Sequence, residues 1–126
     1  VLLFEPIIKS NFYDSRMYAA KILGRINLES ASKLLLKLLF DNDEEVVYEA
    51  KHAIENHSFT DAIVEELNKK LNDDFDINRE RAAEILGISK SCLAARLLKA
   101  RLLKESNIYV KNSITLALVT LSPCRT

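Results

Sequence analysis

Few side chains in this sequence have the types and spacing that chemistry demands. Asp41-x-Asp43-x-Glu45 opens like a calcium loop, with alternate carboxylates able to present oxygen ligands to a hard cation. The match then breaks. Val46 stands where such a loop needs glycine for its sharp bend, and His52 stands where it needs a bidentate glutamate. What is left is an acidic turn able to cap a helix. His52 and His57 are five residues apart, about 140° around a helix, so they do not face a common metal ion. No glycine-rich phosphate loop occurs, and no Cys/His or Ser/His pair has the spacing of an activated nucleophile. The expectation is a non-enzymatic chain with no catalytic residue, no metal site and no cofactor.

The elements that would position any site follow from a repeat of 31–32 residues. Ala19-Ala20-Lys21-Ile22-Leu23-Gly24 aligns with Ala82-Ala83-Glu84-Ile85-Leu86-Gly87 at five apolar or glycine positions. Ala50-Lys51-His52-Ala53-Ile54 and Ile114-Thr115-Leu116-Ala117-Leu118 fall at the same phase. Starts at 19, 50, 82 and 114 give steps of 31, 32 and 32. A fixed period of this size marks a solenoid, whose units cannot bury an apolar face alone and must stack.

Each repeat divides into two helices. Helix A follows a polar cluster (Asn11 to Asp14, Asp41 to Glu45, Asp73 to Asp76, Glu105 to Asn107) whose Asp and Asn side chains can cap it. Ala19, Ala50 and Ala82 recur where a neighbouring helix must come close, and Leu23, Ile54, Leu86 and Leu118 fill the core one turn later. Tyr18 and Tyr48, beside these alanines, read as packing residues. Helix B begins near Glu29, Thr60 and Ser91. Its inward stripe is Ala31, Leu35, Leu39, then Ile63, Leu67, Leu71, then Ala94, Leu98, Leu102, an i, i+4, i+8 pattern with one buried side. Phe4 and Ile8 fit the same stripe one period earlier. The layout predicts helices over 1–9, 14–26, 29–40, 44–56, 60–72, 78–88, 91–104 and 108–121. Short connections make successive helices antiparallel neighbours.

Composition agrees. At 126 residues and 48% apolar content, one domain with a proper core is expected over 1–126. Its units would run over 1–13 (partial), 14–42, 43–73, 74–106 and 107–126 (partial). Two glycines and two prolines are too few for an all-β fold. The longest apolar run, Ile114 to Leu121, is eight residues and too short to span a bilayer, so no membrane partner is expected. The opening Val1-Leu2-Leu3-Phe4-Glu5-Pro6 lacks a basic n-region and reads as the last part of a helix from a longer chain. Charge is banded: net +3 over 1–40, −9 over 41–80 and +6 over 81–126. Cys92 and Cys124 are one repeat apart, which in stacked helices means about 9–10 Å. A disulfide tolerates a Cα separation of roughly 7 Å, so reduced thiols and a cytoplasmic protein are expected.

The pattern Arg/Val-x-x-Ala-Ala-x-Ile-Leu-Gly, as in Arg16 to Gly24 and Arg79 to Gly87, resembles the short HEAT repeats of the phycobilisome-lyase type. The likeness covers nearly the whole chain. It implies an all-α, right-handed solenoid of about four stacked antiparallel helix pairs, with the B helices lining the concave face. The arginine position becomes Val47 in the second copy and Lys111 in the fourth, and the glycine becomes Glu55 and Val119. Some enzymes of this class hold iron through His-Glu dipeptides, and this sequence contains none.

One surface stands out. The outward phase of the B helices carries Lys33, Lys37, Lys69, Lys70, Arg96, Lys99 and Arg101 against Glu65 and Glu66, with Leu36, Phe40 and Leu103 among them. The resemblance gathers these residues into one groove. The expected function is a non-catalytic scaffold or adaptor that binds a protein partner there. The first alternative is duplex DNA along the basic ridge, opposed by the −9 central block. The second, a subunit of a chromophore lyase, is implied by the repeat subtype alone.

Overall fold

The structure, a computed structural model, describes residues 4–124. Among them are eight helices and no strand: α1 (Phe4–Ile8), α2 (Tyr13–Leu23), α3 (Glu29–Leu39), α4 (Glu44–Ile54), α5 (Asp61–Leu71), α6 (Asp76–Gly87), α7 (Cys92–Leu102) and α8 (Ile108–Thr120). The all-α expectation holds, and the helices match the predicted spans to within a few residues. The first three residues of the predicted helix 1–9 lie outside the described residues.

The chain divides into two compact units, one ending at Ser58 and the other beginning at Phe59. In the first, α2 packs along α4 and α1 along α3, while α3 also meets α2 and α4. In the second, α6 packs along α8 and α5 along α7, while α6 meets both α5 and α7, and α7 meets α8.

The predicted stripes form the cores. Ala19, Leu23, Ala50 and Ile54 are buried in the first unit with Ala31, Leu35 and Leu39. Ile63, Leu67, Leu71, Ala82, Leu86, Ala94 and Leu98 are buried in the second. Each leucine so buried contributes roughly 1.5–3 kcal/mol relative to exposure. Leu102 and Leu118 are only half-buried. For Leu118 the reason is visible: α8 packs against α6 and α7, and its remaining face is open, with Tyr109, Leu116 and Val119 exposed. Gly24 and Gly87 are selected by space rather than by backbone angle. A Cβ on Gly24 would sit 2.9 Å from Ala53 Cβ, and one on Gly87 would sit 3.0 Å from Ala117 Cβ.

The structure corrects three expectations. The A-helix caps are not uniformly polar. Asp43 and Asn107 accept N–H groups of the first turn, but the N-cap residues of α2 and α6 are Phe12 and Phe75, which cannot. The recurring polar acceptor lies two residues earlier. Ser10 Oγ, Asp41 Oδ1, Asp73 Oδ2 and Glu105 Oε2 accept the N–H of Phe12, Asp43, Phe75 and Asn107 at 3.1, 2.9, 3.0 and 3.1 Å. Tyr18 and Tyr48 are exposed rather than packed, and the Tyr48 ring lies edge-on to His52 with centroids 4.4 Å apart.

The third correction concerns the cysteines. Cys92 and Cys124 form a disulfide with a Cα separation of 5.5 Å. Equivalence of the two positions would keep them a helix spacing apart, but they are not equivalent. Cys92 opens α7, whereas Cys124 lies beyond the end of α8 on a short tail that meets the start of α7.

Candidate functional site

The most strongly held charged groups tie turns together. In the first unit, Arg16 of α2 donates from Nε and Nη2 to the two carboxylate oxygens of Asp41, at 2.9 and 3.2 Å, and from Nη1 to the carbonyl of Ser10. In the second, Arg79 of α6 donates to both oxygens of Glu105 at 2.8 and 3.0 Å and to the carbonyls of Asp73 and Asp74. Arg101 Nε adds a third bond to Glu105 at 3.1 Å. Bidentate pairing of this kind fixes geometry as well as adding energy.

Glu105 is the extreme case, its side chain wholly shielded from solvent. Burial works to raise its pKa. The bonds from Arg79, the Asn107 N–H and Arg101 outweigh that and hold the carboxyl at about 2. Arg79 is raised by the same pairing. The Asp73 carboxyl is lowered by bonds from the Asn78 side chain and the Phe75 N–H. Tyr13 is raised by the nearby charges of Asp14, Glu45 and Asp43.

His57 plays a comparable part in the first unit. It is buried, with Nε2 2.9 Å from the Leu23 carbonyl and Nδ1 2.6 Å from Ser32 Oγ. A carbonyl can only accept, so Nε2 carries the proton, and in the neutral ring Nδ1 accepts from the serine. The ring thereby adds a second hydrogen bond to the Leu23 carbonyl at the end of α2, which also accepts the Ile26 N–H at 3.1 Å. Sequence reasoning weighed His57 only as a metal ligand. The serine 25 residues away carried no signal of the pairing.

Among the described residues, no three His, Cys, Asp or Glu side chains converge as metal ligands. An open groove of about 530 Å³ between α1 and α2 is walled by Phe4, Ile7, Tyr18 and Ile22, with Asp14 as its one charged group. No acid–base pair lies in it.

The predicted ridge separates into groups with different surroundings. On α3, Lys33 is exposed and Leu36 half-buried, Lys37 Nζ lies 3.4 Å from Glu5, and Phe40 sits half-buried at the helix end. On α5, Lys69 is exposed and 3.0 Å from Glu66, and Lys70 is half-buried. On α7, Arg96 and Lys99 are exposed. Arg101 is drawn away from the ridge by Glu105 and by Asn72 Oδ1, 3.3 Å from its Nη1. Leu103, which caps α7, is 90% exposed. Lys104, not singled out in the sequence, is exposed beside it. Within the second unit α5 and α7 pack side by side, so their outward residues share one surface.

No known protein family matches this sequence, and no curated protein matches it either.

Proposed function

We propose that this chain is a non-catalytic interaction module, a HEAT-like right-handed solenoid of about four helix pairs that presents its B helices to a protein partner. The observation that carries the reading is the division of labour among charged groups. Arg16, Asp41, Arg79, Arg101 and Glu105 are engaged in bonding turn to turn. The outward faces of α3, α5 and α7 keep cationic side chains in solvent, together with Leu103. Cations held in solvent can steer a partner of opposite charge onto that face. Recurrence of the same acceptor at Ser10, Asp41, Asp73 and Glu105 supports the repeat reading.

No helix among the described residues is long and apolar enough to cross a membrane. The Cys92–Cys124 bond removes the ground for expecting a cytoplasmic location, since disulfides persist in oxidising compartments. Cell fractionation with non-reducing electrophoresis decides that point.

The function is tested by capture from native lysate, using the parent and a variant with Lys37, Lys69 and Lys99 changed to Glu. Exposed charges contribute little to stability, so melting should be unchanged. Capture should weaken, mostly through slower association, and less so at high salt. Nuclease-sensitive capture would favour the duplex-DNA alternative. Capture indifferent to the reversal would remove the B-helix face from the function.

A further inference from the structure

We propose that the outer face of α7 is the docking site for an acidic, amphipathic helical segment of another protein, seated on Leu103. The proposal rests on the interaction-module reading and names the partner of that surface. Arg96, Lys99, Ala100 and Leu103 are all exposed, and their i, i+3, i+4, i+7 spacing sets them in one stripe. Residues 92–102 contain no acidic side chain. Among the described residues, the side chains of Arg96, Lys99 and Lys104 form no ion pair or hydrogen bond, whereas Lys37 and Lys69 each have a carboxylate of their own unit in reach. Leu103 is the most exposed large apolar side chain described. Three unengaged cations along and beside a stripe that ends on Leu103 leave the α7 face with no carboxylate of its own.

Charge complementarity sets the sign of the occupant. The leucine sets its class. A peptide can place an apolar side chain against Leu103 and Ala100 while its carboxylates reach Arg96, Lys99 and Lys104. A phosphate backbone would cover Leu103 with nothing to bury against it. Three cations also give a counterion-release slope of only about −3, too shallow for firm duplex binding at physiological salt. No aromatic side chain stands in the stripe for bases to stack upon. The stripe runs about 10 Å, two turns of helix. A partner helix lying along α7 with Asp or Glu at i, i+3 or i+4, and i+7, and Leu or Met between them, matches it.

The probe is a fluorescein-labelled peptide of about 14 residues, roughly four helical turns, with leucines on one stripe and glutamates flanking them. A scrambled peptide of equal composition and a random duplex of about 20 base pairs are measured beside it by fluorescence anisotropy against the full chain. The patterned peptide should bind in the micromolar range, about tenfold or more tighter than the scramble. The double variant Arg96→Glu, Lys99→Glu and the single variant Leu103→Ser should each weaken it about tenfold. Arg25→Glu, exposed in the first unit and outside the B helices, should leave it unchanged, and circular dichroism melts should show all variants folded. The proposal is overturned by no binding up to about 1 mM, by equal affinity for the scramble, or by indifference to Leu103→Ser. Duplex bound more tightly than peptide would make α7 a nucleic-acid surface. Self-association lost in the double variant would assign the face to a second copy. A lysate partner that cross-links to α3 or α5 while the peptide ignores α7 would refute this inference and leave the interaction-module reading standing.

Discussion

Replacing Glu105 by Gln removes a carboxylate that joins Arg79, Arg101 and the Asn107 N–H in one node. The size of the effect follows from the carboxyl's pKa of about 2 against an ordinary 4.5. A gap of roughly two and a half units, at about 1.4 kcal/mol each, corresponds to about 3 kcal/mol of stability. The folded pKa is depressed, so this contribution is complete above the unfolded value and is lost as pH falls through 4.5 toward 2. At about pH 3, roughly 2 of the 3 kcal/mol should be gone.

Urea unfolding of the parent and Glu105→Gln, followed by far-UV circular dichroism, reads this directly. At about pH 7 the variant should be less stable by about 3 kcal/mol, and by up to about 5 because Arg79 loses its counter-charge in a half-buried site. At about pH 3 the difference should shrink to about 1 kcal/mol. A difference that stays constant with pH would show that the variant's cost is packing rather than ionisation. A variant as stable as the parent at neutral pH would refute the node altogether.

Gly87→Ala and Gly24→Ala should each lower the melting temperature, because overpacking against Ala117 or Ala53 by about 1–3 kcal/mol exceeds the helix-propensity gain of about 1 kcal/mol; a rise in melting temperature would mean the neighbouring helix yields. Reduction of the Cys92–Cys124 bond, which closes a loop with a sequence separation of 32, should cost about 4 kcal/mol on the loop-entropy estimate. Dithiothreitol should therefore lower the parent's melting temperature and leave Cys92→Ser unmoved. Leu67→Ala and Leu98→Ala, both in buried stripes, should cost about 2–5 kcal/mol, while Lys69→Ala should stay within about 0.5 kcal/mol. Similar small shifts at all three would mean the helix phase is wrong.

The helices and their buried faces were legible because they are written in local periodicity. Leu35, Leu67 and Leu98 follow one another at steps of 32 and 31 residues, and one face of an amphipathic helix has to be buried. The repeated alanines were legible for the same reason. What the sequence hid depends on pairs distant along the chain. Nothing near His57 announces Ser32 and the Leu23 carbonyl as its partners, and nothing near Glu105 announces Arg79. The cysteines misled because periodicity was extended past the end of α8, where the chain no longer follows it. The outward ridge was legible as a list of exposed cations, but not in its differences. In the folded chain Arg101 is withdrawn to Glu105 while Leu103 projects.

The departures from the repeat turn out to have a structural logic. In each unit an arginine of one helix bridges to a later turn, Arg16 to Asp41 or Arg79 to Glu105, and a glycine at the end of that helix lies against an alanine, Gly24 to Ala53 or Gly87 to Ala117. Both devices start from the first A helix of a unit, α2 or α6, and reach the elements that follow it. The copies that lack them are α4, with Val47 and Glu55, and α8, with Lys111 and Val119. These are the last A helices of their units. Val47 is buried as an apolar side chain rather than bonded as a cation, and Asp73 takes its bonds from Asn78 and Phe75 in its own turn. Within each unit the helix that carries arginine and glycine is thus the one that bonds to a later turn and takes a close helix neighbour, Ala53 of α4 or Ala117 of α8.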